Sequence, residues 1–361
     1  MKDINKELAP AIFAVKNDYH IMMYPSAQCL MWVKVGDKTY YDENNGILRS
    51  VTTVHRVIVP MEELDKAKKY TLCIRYVIDR KPYFPELEDL QEKEFEFRPV
   101  TDKNGIRAYN ISDTHNWPEG AIEAAKHAGD IDFLILSGDI PDYNSEPERC
   151  ITIYELAGNI AKGNIPTVFV KGNHDLRGLY AEKYFECTPT DNTRSYYTFK
   201  IGNIWGMVLD CGEDKLDSHE EYGGTICCHD FRVRQTEYFR QVVESKEYLA
   251  PDIKHRLVLC HVPFNFKWEE PFDIEDDIYN EWTKLINQIN PKMFLCGHTH
   301  KAEVIYPEDE KNYRKVGCPT VVGSLVRYKE YFAGALIEFN DDKIDIVFND
   351  MYDEIVGKAT L

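Results

Sequence analysis

The sequence predicts an α/β (α+β) protein in two parts: a β-rich first hundred residues, then a longer unit in which strands and helices alternate. Three observations predict this. Up to Phe97, short β-branched and aromatic runs recur every ten or so residues, the pattern of a small β-sandwich. From Ile106 onward, apolar runs of strand length alternate with longer, helix-like stretches. Five of those apolar runs end directly in blocks of Asp, Asn or His, which puts polar side chains at the ends of sheet strands.

In chain order, Ile12–Val15, His20–Tyr24, Leu30–Val35 and Lys38–Tyr41 read as strands, the last two joined by a turn at Gly36-Asp37. Val54–Val59, Tyr70–Ile78 and Glu94–Phe97 continue the series, with one helical turn near Met61–Lys68. Pro99–Gly105 reads as a linker, so the expected division is 1–103 and 104–361. Beyond it, Asn116-Trp117-Pro118 opens a helix to about Ala128, with Pro near its first position. Ser145-Glu146-Pro147 opens another to about Lys162, and Phe231–Glu247 and Ile274–Ile289 supply two more. Tyr196–Ile201 with Ile204–Leu209 has the form of a hairpin. Ala302–Ile305, Thr320–Val322, Gly334–Phe339 and Ile344–Phe348 add further strands.

At 361 residues and 43% hydrophobic, the chain can bury a conventional core. Its formal charge of −18 repels nucleic-acid backbones and anionic membranes, so neither a polynucleotide nor a membrane is an expected partner; plain solubility explains the acidity equally well. No apolar stretch approaches the ~20 residues of a membrane span, and the start of the chain has no long apolar segment. These features read as a soluble cytoplasmic protein. The ten cysteines show no Cys-x-x-Cys spacing. Cys73, Cys260 and Cys296 sit in apolar runs as small hydrophobes; sulfur ligation by the last two, which precede polar blocks, is the other reading. Cys227-Cys228 reads as a reduced pair in a loop, with redox activity the alternative.

The strand-end blocks are Asp113-Thr114-His115, Gly138-Asp139, Gly172-Asn173-His174-Asp175, His261, and Gly297-His298-Thr299-His300. In an open α/β sheet such ends converge on one pocket. Imidazoles and carboxylates suit borderline and hard cations such as Mn, Fe and Zn.

In this order and context the blocks resemble the signature of the calcineurin-like metallophosphoesterase superfamily, from about Ile106 to the C-terminus. The resemblance implies a four-layer αββα sandwich, preceded here by a fibronectin-III-like β-sandwich laid out as in purple acid phosphatases. It implies two divalent or trivalent ions, one held by Asp113, His115, Asp139 and His300. The other would be held by Asp139, Asn173, His261 and His298, with Asp139 bridging both. The implied activity is hydrolysis of a phosphorylated small molecule or nucleotide, by a hydroxide shared between the ions, with His174 assisting the leaving group or stabilising charge. Asp142 stands where related phosphatases keep a carboxylate partner for that histidine; beginning a turn at Ile140–Tyr143 is its other reading.

The chain departs from two subfamilies. Purple acid phosphatases carry a Tyr ligand where Asp142 stands, with Tyr143 here one step off register, and lack a ligand at the place of His115; this chain is expected to be colourless. Protein serine/threonine phosphatases carry a phosphate-binding Arg where Tyr143 stands. Arg177 reads either as a phosphate contact or as a surface arginine, and Trp117 either as a stacking surface for substrate or as core packing. The loop Gly212–Asp230 is a plausible substrate lid; His219 and His229 on it read as solvated. The alternative to an enzyme is a metal-binding scaffold that keeps the fold for partner binding.

Overall fold

The structure is a computed structural model and describes residues 2–101 and 103–361. Met1, and Asp102 within the expected linker, lie outside the described residues. Two sheets pack face to face. The larger has ten strands among the described residues and runs Ile355–Thr360, Ile344–Asp350, Tyr331–Phe339, Ile106–Ile111, Phe133–Ser137, Thr167–Val170, Ala11–Val15, Asp18–Met23, His55–Pro60, with Leu325–Arg327 beside Tyr331–Phe339. Its Ile106, Phe133 and Thr167 strands are mutually parallel. The smaller sheet runs Tyr197–Ile201, Ile204–Leu209, His255–Cys260, Met293–Cys296, Thr320–Gly323, Ala302–Ile305, and its inner four strands are parallel.

Side-chain alternation along these strands builds the layers. Ile106, Ala108, Phe133, Ile135, Val168 and Val170 face inward against Leu257, Leu259, Met293 and Leu295 of the smaller sheet. Their neighbours Tyr109, Ile111, Leu134, Leu136 and Phe169 face outward, under the helices Pro118–His127 and Ile151–Ile160. On the other side, Met207, Val258 and Phe294 lie under Cys228–Ser245 and Asp276–Ile289, where Trp282 is fully buried. This is the expected αββα arrangement. Pro118 starts its helix at a position that needs no amide donor, and Ala121, Ala124 and Ala125 let it sit close to the sheet. The helix expected from Phe231 starts at Cys228, because the Asp217 carboxylate accepts from the Cys228 and His229 amides at 2.9 and 3.0 Å.

The first hundred residues contain the expected sandwich, and three of its strands continue the large sheet. Cys29–Val35, Lys38–Tyr41, Lys69–Asp79 and Gln91–Glu96, with Glu86–Leu87 beside Lys69–Asp79, form a third sheet. Its Met31, Val33, Leu72 and Ile74 pack on Ile21, Met23, Val57 and Val59, which belong to the large sheet. Ala11–Val15 pairs in parallel with Thr167–Val170, in the register Phe13 to Thr167. The division expected at residue 103 therefore runs through a continuous sheet and a continuous core. The reason is local: Thr167–Val170 is buried along its whole length, and without Ala11–Val15 one edge of its backbone would lie unpaired in that core.

A fragment of residues 104–361 should consequently lack a cooperative thermal transition by near-ultraviolet circular dichroism, while the full chain melts sharply. A sharp melt in the fragment would restore the two-domain reading.

Candidate metal centre

All five strand-end blocks come together at the carboxyl ends of the parallel strands. The backbone there is unusual: Asp113, His115, Asp139, His298 and His300 all have positive φ, between 46° and 70°. Asp and His tolerate this left-handed region better than most residues, yet each non-glycine residue there costs roughly 1–2 kcal/mol. The turns interlock through the Asp113 amide to the Gly138 carbonyl (3.0 Å), the His115 amide to the Asp139 carbonyl (3.1 Å) and the Gly297 amide to the His261 carbonyl (2.9 Å). Gly138 and Gly172 are required by close approach. A Cβ at Gly138 would enter the His261 ring, and one at Gly172 would strike the Asp139 carboxylate and amide.

The side chains fall into three groups, one of which, His115, Asp142 and His174, shares His115 with another. Asp113, His115 and His300 bring ligand atoms within 4.8 Å of one another, and so do Asp139, His261 and His298. Asp139 ties its group to His174: one carboxylate oxygen accepts the His174 amide at 3.0 Å, and the other lies 3.1 Å from His261 Nε2 and 3.9 Å from His174 Nε2. The His261 Nδ1–H donates to the Ser137 carbonyl at 2.8 Å, which turns Nε2 toward the centre. Asn173 Oδ1 accepts from His298 Nδ1 at 3.1 Å, whereas Asn173 Nδ2 is buried with no partner. His115 and His300 hold their Nε2 atoms 3.1 Å apart. Crowded imidazole nitrogens beside two fully buried carboxylates, with no thiolate among them, fit a pair of divalent or trivalent cations.

Electrostatics follow from burial and from these pairs. Burial opposes the charge on Asp113, but His261 and His300 hold its carboxyl below the usual range; Asp139 is held lower still by His261. Burial likewise opposes the His261 charge, yet Asp139 and Asp113 lift this imidazole to about 10. His298, dominated by burial, falls to about 4, and burial lowers His115 as well. His300, hydrogen-bonded to Asp113, is raised. Asp175, missed as a functional residue, is pushed up to about 8 by burial and by Asp139. It braces the Asn173 loop, accepting from the Gly172 amide at 2.6 Å and the Tyr184 hydroxyl at 3.1 Å.

The other expected residues divide. His174 meets Asp142 chiefly through the backbone: Nδ1 donates to the Asp142 carbonyl at 2.8 Å, with the half-exposed carboxylate 3.4 Å away. That carboxylate is also 3.5 Å from His115 Nδ1. Arg177 lies at the site, but its fork is closed on Glu213 (2.9 and 3.0 Å), and only Nη1 turns to His174 Nε2, at 3.1 Å. The surface-arginine reading therefore falls, and a phosphate would have to share this guanidinium with a buried carboxylate. Trp117 is buried under the Pro118 helix, against Gly120 and Tyr328. It is core packing, because the helix that begins beside it needs an apolar anchor on the sheet. The base of the expected lid is packed in: Glu213, Asp214 and Lys215 are buried, and the Tyr222 hydroxyl donates to Glu213 or Asp214. Asp214 lies 3.9 Å from His298, and Trp268 stands edge-on to the same ring. Neither was legible in sequence, since one sits in a generally acidic loop and the other in a loop without a motif. All ten cysteines are free; Cys260 and Cys296 lie in the core.

A four-layer sandwich with clustered His, Asp and Asn at its parallel strand ends defines a metal-dependent phosphoester hydrolase. The chain belongs to the calcineurin-like phosphoesterase family, whose family model matches residues 106–302. It is 25% identical over 207 residues to a probable cyclic nucleotide phosphodiesterase of Rhodopseudomonas palustris, covering 55% of this chain and 67% of that protein. In fold it is similar to a purple acid phosphatase from yellow lupin seeds, Lupinus luteus (TM-score 0.62, 14% identity, 98% of this chain and 73% of that one). It is also similar to PhoD (TM-score 0.58, 13% identity, 98% and 88%).

Because His261 is raised to about 10 without a cation, ligating through its Nε2 must expel a proton. Metal binding should therefore release about one proton at pH 7, and affinity should rise up to about tenfold per pH unit from 7 to 9. In the metal-free protein the sign is opposite: stabilisation by charged His261 is complete below its unfolded value near 6.5 and is lost as pH rises toward 10. Calorimetry in buffers of different ionisation enthalpy, with urea melts at each pH, checks both directions.

Proposed function

We propose that Asp113, His115, Asp139 and His300 hold one ion and Asp139, Asn173, His261 and His298 a second, both Mn, Fe or Zn, and that the protein hydrolyses a phosphorylated small molecule or nucleotide. The observation that carries this reading is Asp139, a buried carboxylate grouped with His261 and His298, whose charge also acts to raise His115 and His300 of the neighbouring cluster. When bound, a pair of cations supplies a nucleophilic oxygen at neutral pH and neutralises charge on the phosphoryl group. The chain's own residues do the rest. His174, fixed through Nδ1 by the Asp142 carbonyl, assists departure of the leaving oxygen in its protonated form, with the Arg177 N–H that now meets Nε2 turned aside. Asp142 positions both His174 and His115. Arg177, held by Glu213, keeps a positive charge beside Nε2.

The relative's printed activity on cyclic nucleotides makes a nucleotide phosphodiester the first substrate class to test, ahead of monoesters. All seven proposed ligands and His174 converge, which favours an enzyme over a scaffold. No helix among the described residues is long and apolar enough to cross a membrane. Ten free thiols fit a reducing compartment, and we place the protein in the cytoplasm.

Asp139→Asn should lower bound metal well below two ions per chain by elemental analysis. His174→Asn should keep the metals and cut kcat on nitrophenyl mono- and bis-phosphate by about 10²–10⁴-fold. Full activity of the His174 variant on both esters would remove its assigned role.

A further inference from the structure

Next to His298 the site opens into a cleft of about 370 Å³. One wall is aromatic. Trp268 stands edge-on to the His298 ring with centroids 5.6 Å apart, and Phe266 lies 6.1 Å beyond it. The Trp268 indole N–H donates to the Pro263 carbonyl at 3.3 Å, so its polar edge is engaged by the protein and its carbon surface lines the cleft.

The other wall is cationic. Lys267, Lys301 and Lys311 line it together with Glu303. Glu303 neutralises Lys311 at 2.6 Å. Among the described residues, no carboxylate lies within ion-pair distance of Lys267 or Lys301; the Lys267 ammonium sits 5.1 Å above the Tyr313 ring. On a chain of net charge −18, two unneutralised lysines beside a metal centre reverse the local sign. The aromatic rings and the two cations border one space that ends at a proposed metal ligand.

We infer that this cleft receives the leaving group, and that it selects a planar ring carrying a second negative charge, as in a nucleotide with more than one phosphate. This rests on the hydrolase reading above and goes beyond it by naming what lies past the scissile bond. One phosphoryl group occupies the metal centre, the ring stacks on Trp268, and the second anionic group meets Lys267 and Lys301. A single phosphate engages only the metal centre, so ring and second charge should each add affinity separately.

The test is calorimetric binding of adenosine 3′,5′-bisphosphate, AMP and inorganic phosphate to the Mn-loaded full chain, with hydrolysis of bis(4-nitrophenyl) phosphate measured in parallel. AMP should bind about tenfold or more tighter than phosphate, the size of one base–aromatic stack, and the bisphosphate tighter again by a similar factor. Trp268→Ala should abolish the AMP–phosphate gap while Trp268→Phe keeps it, which separates stacking from misfolding. The double variant Lys267→Gln/Lys301→Gln should abolish the bisphosphate–AMP gap and leave phosphate binding unchanged. Equal affinities in the natural chain, or gaps that survive these substitutions, would overturn the inference. Absent hydrolysis with the gaps intact would instead sink the hydrolase reading and leave the cleft assignment standing.

Discussion

The structure depends on a buried carboxylate, Asp139, which is tolerable only because imidazoles surround it. Taking a carboxylate fully out of water carries a penalty of several kcal/mol that a partner must offset. His261 answers it at 3.1 Å, is itself fixed by the Ser137 carbonyl, and is lifted to about 10 by Asp139 and Asp113. The same pairing is unstable to the loss of either member, which would leave a charge alone in the interior. On the reading proposed above, a pair of cations would answer the negative charge of Asp113 and Asp139 without requiring the histidines to stay protonated. His115 and His300 face each other through Nε2 atoms 3.1 Å apart, where one nitrogen can donate to the other but both lone pairs are satisfied together only by cations.

Strain in the backbone supports this constraint. Five of the clustered residues have left-handed φ, and the glycines before Asp139 and Asn173 permit approaches that any Cβ would block. Such conformations persist only where the surroundings over-determine them. Here the surroundings are two sheets whose inner faces share one core, extended sideways by the first strands of the chain. Ala11–Val15 seals the edge of Thr167–Val170, the strand that delivers Asn173 and His174. The first hundred residues therefore bear on the chemistry through the stiffness of a shared sheet, although none of their side chains is among the proposed ligands.

How far the sequence disclosed all this depends on whether the signal was local. Strand-end polar blocks are local, and Asp113, His115, Asp139, Asn173, His174, His261, His298 and His300 were legible for that reason. So were most strands and the four long helices, because hydrophobic period and caps act over a few residues. Pairing between Phe13 and Thr167 leaves no mark at either position, so a shared sheet read as two domains. Which tryptophan reaches the site was hidden in the same way. Trp117 follows a ligand block in sequence but is turned into the core by the Pro118 helix, while Trp268, in a loop with no motif, reaches His298. The Asp142 interaction was legible as a position and not as chemistry, since its main contact to His174 is a backbone carbonyl, which any residue could provide.

The surface charge then takes on a different meaning at the site. A net charge of −18 repels an anionic ester from most of the molecule, so capture depends on the few places where the sign reverses. Arg177 is not such a place, because Glu213 closes on it and Asp214 and Glu221 stand within 4 Å of its guanidinium. Its charge serves His174 and the packing of the acidic loop. On the reading proposed above, attraction for a phosphoryl group would fall to the metal centre, and attraction for anything beyond it to Lys267 and Lys301, which no carboxylate among the described residues pairs. Affinity within this acidic surface is therefore concentrated on one small opening, and ligands too large to bring their charge to it meet only repulsion. The same acidity opposes the approach of a polynucleotide backbone to the rest of the surface.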